Sequence, residues 1–312
     1  MKSLKSRNAF SLIELSIVIL IIGILIAGVT QGSRLINRSK LSNARTLTQS
    51  SPVSSIKNLS IWIESSSETS FDDSESEDAA AISNWYDLNP QTSTKSNFTG
   101  TTTTRPTYRA NIINSLPAIL FDGTDDFMNT SNFINVVNGS TVFLVVKTPA
   151  SVAAKPIFSK RPSAAFGSSA PNIQVSTSSS TWSYCDGAAI VTNGTTCNYS
   201  AGTTIEGGKP YIVSITYNPN SLVGSGTTSA TGVSFFENGA ASTQTATTGY
   251  SPSTSVSADL FIGKDGTSSP AFYNSYLAEL IIYDRTLKKE ERQSIENYLG
   301  KKWGITMTTA SY

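Results

Sequence analysis

The run Phe10-Ser-Leu-Ile-Glu14-Leu-Ser-Ile-Val-Ile-Leu-Ile-Ile-Gly23-Ile-Leu-Ile-Ala-Gly28-Val29 decides how this chain is built. As a helix it is roughly 30 Å long, the thickness of a bilayer core. Lys2, Lys5 and Arg7 precede it, and Glu14 is its one ionisable side chain. A carboxylate at that depth is costly, so it implies a partner of opposite charge and a purpose. Basic residues before an apolar run also describe a cleaved secretory signal. Against that, the run is long, ends without a small-x-small cleavage site, and continues in helical patterning over 33–47. The basic leader residues place the N-terminus in the cytoplasm and the rest of the chain outside.

Ala9-Phe10-Ser-Leu-Ile-Glu14-Leu-Ser-Ile-Val18 resembles the class III signal of type IV pilins and pseudopilins, with Phe10, Leu12, Ile13, Glu14 and Gly23 where that family has them. The resemblance covers about the first thirty residues of the sequence. It implies cleavage between Ala9 and Phe10 by a membrane prepilin peptidase, then N-methylation of Phe10. Two departures matter. Ala9 stands where the family usually has Gly, so slower cleavage is expected. Gln31 stands where many type IVa pilins carry a helix-breaking Pro, which keeps a pseudopilin of a type II secretion system open as the alternative. Two charges in low dielectric are tolerated when they pair. In filaments of this family, Glu14 of one subunit would therefore face the Phe10 amine of its neighbour. The implied partners are the peptidase/methyltransferase, the inner membrane and other pilin subunits, in a homo- or hetero-filament. The implied location is the inner membrane before assembly, then the cell surface or periplasm.

Arg34, Arg38, Lys40 and Arg45 follow with no acid until Glu64. They read as a solvated helical face, or as a patch attracted to lipid head groups or to acids on adjacent subunits. Gly28-x-x-x-Gly32 is a weak close-packing signal. Ser50-Ser51-Pro52 ends the helix. The division expected is a leader (1–9), an assembly helix (10–50), a linker (51–58), a β-rich domain (59–305) and a tail (306–312). With 23 Lys and Arg against 22 Asp and Glu, the balance of charge suggests no nucleic-acid partner. The absence of His excludes His-ligated metals and Ser-His-Asp triads. Cys185 and Cys197 are the two cysteines, and outside the cytoplasm a disulfide is the default for such a pair. Such a bond would stabilise by roughly 3 kcal/mol.

From residue 59 the chain reads as strands over 59–64, 116–121, 141–147, 156–160, 172–177, 211–217, 232–237, 240–245, 259–263 and 276–283. Residues 59, 61 and 63 are expected on one face of the first, with Trp62 on the other. Glu237-Asn238-Gly239 is a tight hairpin turn. A helix over about 288–302 carries Leu287, Ile295, Tyr298, Leu299 and Trp303 at helical spacing, and Gly304 ends it. The fold class is thus mainly β: a long N-terminal helix, then an antiparallel sandwich with a C-terminal helix. The series Leu59-Ser-Ile-Trp-Ile, Trp85-Tyr-Asp87, Ile119-Leu-Phe-Asp-Gly-Thr-Asp-Asp126, Thr141-Val-Phe-Leu-Val-Val and Leu277-Ala-Glu-Leu-Ile-Ile-Tyr-Asp-Arg-Thr-Leu287 resembles the bacterial laminin-G-like branch of the concanavalin A-like jelly rolls. That resemblance covers most of 59–305, with 161–210 divergent. It implies two curved sheets and, often, glycan or protein binding at one face or rim.

Three chemistries were open. Glycoside hydrolysis needs two carboxylates facing one cleft. No strand carries alternating acids, the acids of 72–78 read as a solvated loop, and Glu279 is alone on its strand, so no catalysis is expected. Asp122, Asp125 and Asp126 around a Gly turn are hard ligands suited to Ca²⁺, or else caps for the turn's amides. No cofactor is otherwise required. Trp182, Tyr184 and Tyr199 flank the Cys185 loop, as an aromatic platform for sugar or as cover for a sheet edge. The function expected is a pilin-like structural subunit, minor or adhesive, that displays its sandwich for surface or glycan contact; beside the pseudopilin, a membrane-tethered glycan-active enzyme is the other alternative.

Overall fold

The computed structural model describes residues 12–131, 139–153, 155–160, 173–178, 181–185, 199–201, 204–218, 232–242, 244–246, 258–266 and 271–308. Helix α1, Leu12–Gln49, is continuous for 38 residues, about 57 Å. The hydroxyls of its apolar stretch are absorbed internally: Ser16 Oγ donates to Ile13 O at 2.8 Å, Thr30 Oγ1 to Ile26 O at 2.9 Å and Ser33 Oγ to Val29 O at 3.0 Å. This lets polar side chains sit on an apolar helix without an open donor. The helix stops just before Ser50-Ser51-Pro52, as the proline predicts. The segment 51–58 is packed rather than a loose tether: Val53 is fully buried and its carbonyl accepts from Tyr283 Oη at 2.7 Å.

The head is two antiparallel sheets. The first contains β1 (Leu59–Glu64), β4 (Thr107–Ile113), β5 (Leu116–Asp122), β7 (Ser140–Lys147), β12 (Pro210–Tyr217), β13 (Val233–Glu237), β14 (Ala240–Ser242) and β17 (Asn274–Tyr283). Its order is β14-β13-β12-β7-β17-β5-β4. The long strand β17 is its spine: one edge pairs with β7, and the other pairs with β5 over its first half and β1 over its second. The second sheet contains β2 (Asn84–Trp85), β3 (Phe98–Thr99), β6 (Met128–Thr130), β8 (Lys155–Lys160), β9 (Ile173–Ser178), β10 (Thr181–Cys185), β11 (Tyr199–Ala201), β15 (Gln244–Ala246) and β16 (Leu260–Ile262). Its order is β15-β11-β10-β9-β8-β16-β6-β3-β2. The run read as one strand over 240–245 therefore splits, giving β14 to the first sheet and β15 to the second. Asn238 and Gly239 both have positive φ, which forms the expected turn between β13 and β14.

The central strands of the first sheet are buried on both faces, which explains why β7 is nearly all apolar. Val142, Leu144 and Val146 face the second sheet, while Phe143 and Val145 face the helices. Two of the bulges decide which side chains face the helices. One lies between Leu59 and Ile61, so Leu59 joins Trp62 on the helix side instead of sharing a face with Ile61 and Ile63. The other lies between Leu277 and Glu279 and turns Glu279 toward the helices.

Helix α2, Lys289–Trp303, lies on that outer face through Ile295, Tyr298, Leu299 and Trp303. Glu291 fixes its start, accepting from the Lys288 amide at 2.9 Å and gripping Arg285 with both oxygens. That grip holds the Glu291 carboxyl down at about 2. Gly304 ends the helix at φ 62°, where a side chain would be strained. Asn114 Nδ2 covers the last carbonyls, those of Trp303 and Gly304.

Helices α1 and α2 meet the sheet at one buried charge cluster. Glu64 on β1 and Glu279 on β17 are cross-strand partners. Lys302 Nζ lies 2.8 Å from Glu279 Oε2, 3.1 Å from Glu64 Oε2 and 3.1 Å from Tyr298 Oη, so its three donors are all used. Glu279 also accepts from Trp303 Nε1 at 2.8 Å, Trp62 Nε1 at 2.9 Å and Tyr298 Oη at 3.1 Å. Glu64 accepts from the Ser66 amide and hydroxyl, and Thr48 of α1 sits 3.5 Å from its other oxygen. Burial alone would pull Lys302 down, but Glu279 and Glu64 hold it above its ordinary value. Removing its cation strands two carboxylates in the interior. Lys302→Met is expected to cost about 3–5 kcal/mol in urea unfolding of the detergent-solubilised chain. Glu64→Gln, which leaves one carboxylate facing one ammonium, should cost clearly less. Equal losses for the two variants would contradict this arrangement.

Candidate functional site

The head seats only the last turns of α1. Ala44 and Thr48 are buried, and Leu41 and Leu47 pack beside them. Arg45 closes the seat, with Nε donating to Ser66 O at 3.0 Å and Nη1 paired with Glu68. Lys40 reaches toward Asn114 O and Ser115 Oγ, at 3.4 Å each. From Leu12 to Ile36 the large apolar side chains are 49–86 % exposed. Such a surface demands lipid or neighbouring helices. Leu12–Ser55 contains a window of mean hydropathy 2.9, long and apolar enough to cross a membrane. Glu14 lies in the first turn of the described helix. Ala9 and Phe10, where cleavage and methylation are expected, lie outside the described residues. The helix runs through Gln31 without a break, as the missing proline allows.

The aromatic platform is corrected by the structure. Trp182 and Tyr184 are 1 % and 0 % exposed and belong to the core between the sheets. Trp182 Nε1 donates to Glu237 Oε2 at 2.9 Å, and its ring meets Tyr211 edge-on. Tyr184 Oη lies 3.3 Å from Ser140 Oγ. Alternation on β10 puts both rings on one face, and that face is covered by the first sheet. Tyr199 pairs in register with Tyr184, and its side chain is outside the description. Cys185 ends β10, while Cys197 lies outside the described residues.

The acidic turn after β5 does come together. Carboxylate oxygens of Asp122, Asp125 and Asp126 lie within 4.8 Å of one another, with Asp126 buried and the other two exposed. Asp122 Oδ1 accepts from the Thr124 amide at 2.7 Å, and Asp126 Oδ2 accepts from the Asp122 amide at 2.9 Å. Two of the three thus cap the turn. Gly123 has φ 82°, and Asn274 Cβ lies 2.7 Å from where a Cβ would stand, so only Gly fits there. Burial, opposed by the Asp122 amide and reinforced by the charges of Asp122 and Asp125, raises the Asp126 carboxyl to about 6.

The sequence reading missed the seat cluster. Glu279 was read as solitary, yet its partner Glu64 is contributed by another strand more than 200 residues away. The two carboxylates stand side by side like a catalytic pair, but their oxygens are committed to buried donors.

Because the folded Asp126 binds its proton more tightly than the unfolded chain does, its contribution is favourable below about pH 4 and is lost as pH rises through 6. Asp126→Asn is expected to stabilise the chain at pH 7 by about 1 kcal/mol, a value reduced for the solvent beside the turn. It should also flatten the stability profile between pH 4 and 6. A calcium-dependent melting temperature that Asp126→Asn abolishes would instead give the turn to a metal ion.

The prokaryotic N-terminal methylation motif matches residues 4–30. No curated protein matches the chain in sequence. Among solved structures, the Trypanosoma rangeli sialidase in complex with sialic acid is 13 % identical at a TM-score of 0.50, covering 81 % of this chain and 34 % of the sialidase. The binding domain of Paraclostridial Mosquitocidal Protein 1 is 10 % identical at a TM-score of 0.49, covering 78 % of this chain and 52 % of its own. The chain thus spans about a third of the first structure and half of the second. At such identity the likeness to the sialidase is one of fold, that of a sheet-rich sandwich. Motif and fold together show a type IV pilin-like class III signal joined to a two-sheet antiparallel head.

Proposed function

We propose that this chain is a pilin-like structural subunit, cleaved before Phe10 and methylated there, whose α1 packs into a filament core while its sandwich is displayed outside. The observation that carries this reading is the division of α1: its first two-thirds expose apolar side chains, and its last turns are seated on the head by buried Ala44 and Thr48 with Leu41 and Leu47 packed beside them. A helix seated this way carries the head wherever the helix assembles. Glu14, the acid in the first exposed turn, pairs with the Phe10 amine of a neighbour and sets the register. The central strands of the first sheet are covered on both faces, so adhesion to glycans or surface proteins falls to the second sheet, the sheet edges and the loops. The proposal includes no catalytic step. The continuity of α1 through Gln31 favours one second reading, a type II secretion pseudopilin, which would stay with the membrane.

Glu14→Ala should be processed normally but enter filaments at least ten-fold less. The measurement is mass spectrometry of sheared surface fibres, quantifying the peptide that begins at methylated Phe10. Wild-type incorporation of the variant would contradict the pairing. Recovery of the wild-type peptide only in membranes would favour the pseudopilin, and an intact leader would overturn both readings.

A further inference from the structure

The charges on this chain are segregated. Between Glu14 and Glu64 every ionisable side chain is a cation, and between Lys57 and Lys95 every one is an acid. At Arg45 and Glu68 the two blocks touch. Arg34, Arg38 and Arg45 are spaced by four and seven residues, which puts them within roughly 40° of one another on α1. They form one stripe, whereas Lys40 is turned about 140° away to the β4–β5 turn. Arg45 is consumed by its own head, but Arg34 and Arg38 are exposed on the part of α1 that the head does not reach.

The acidic block is similarly part-used. Asp72 accepts from Tyr86, Glu75 from Ser83, and Asp78 from Arg109 and the Ala110 amide. The side chains of Asp73 and Glu77 are exposed, and among the described residues they make no such contact. Like charges collected on one loop repel one another unless a cation meets them. The chain has two spare arginines of matching number, but they lie below its own head.

We propose that the Arg34–Arg38 face of α1 docks the acidic 72–78 loop of a second copy of this chain. The inference rests on the filament reading, and its geometry follows from it. If Glu14 of one subunit meets Phe10 of the next, successive subunits are displaced by four residues, about 6 Å. Counting down four residues per step from Arg45, whose partner Glu68 lies four residues before the loop, the second and third steps reach positions 37 and 33. These positions are each one residue from Arg38 and Arg34. Higher subunits thus present arginines at the level where Arg45 meets Glu68 in the first. Copies then adjoin one another, and the chain recurs along the fibre rather than sitting singly at a tip.

The test is charge reversal with the full-length chain in cells, reading the amount of this chain in sheared fibres. Processing and membrane level are checked through the methylated Phe10 peptide. Arg34→Glu with Arg38→Glu, and separately Asp73→Lys with Glu77→Lys, should each lower incorporation at least five-fold. All four changes in one chain should restore it to within two-fold of wild type. Full incorporation of either reversed pair overturns the proposal. So does loss with the arginine pair alone and no rescue by the four-fold variant, which would assign the stripe to anionic lipid. Glu14→Ala, run in parallel, separates the failures: if it too assembles normally, the filament reading is at fault, and otherwise the docking alone is.

Discussion

One ammonium between two carboxylates fixes where the outer layer of this molecule meets its sheet. Lys302 spends all three donors on Glu279, Glu64 and Tyr298, and Glu279 in turn fills its acceptor sites with Lys302, Trp303, Trp62 and Tyr298. These groups come from β1, β17 and α2, and Thr48 brings α1 to the same point. Burying such charges is expensive, and an apolar plug of the same size would hold helix to sheet comparably well. What the plug would lack is direction. Hydrogen bonds of fixed geometry determine where along the sheet each helix stops, and area does not.

That constraint explains the rest of the outer layer. The bulge at Leu277–Glu279 is needed because strict alternation would send Glu279 into the apolar core between the sheets. The bulge at Leu59–Ile61 returns Leu59 to the helix side, where Val53, Leu287 and Trp62 share its cluster. Gly304 must take a left-handed turn directly after Trp303, so that α2 ends while its indole still reaches Glu279. The apolar part of α1 lies beyond this seat and is left for lipid or for neighbours.

The sequence made the long elements legible and concealed the joints. Runs such as Thr141–Val146 and the helical stripe of α2 were read correctly because burial on both faces, or at a 3.6 period, leaves a pattern in the residues themselves. Strands of two or three residues, such as Asn84–Trp85 and Met128–Thr130, leave none. Trp182 and Tyr184 show the limit: their spacing put them on one face, but whether that face meets water or a sheet is a tertiary fact. Lys302 was within reach. It stands seven residues after Ile295, in the middle of the apolar stripe, where a charge is out of place unless partnered. Its partner acids could not be named, because Glu64 and Glu279 become neighbours only when β1 and β17 pair.

The central claim is that α1 and the head form one cooperative body through this cluster. Native-state hydrogen exchange on the detergent-solubilised chain tests it directly, through the amides of residues 45–49 in α1 and 299–303 in α2. Both sets are predicted to exchange at the slow rate of global unfolding and to accelerate together in denaturant. Fast exchange in residues 45–49 while α2 stays protected would contradict it, leaving the head tethered to its helix rather than built on it.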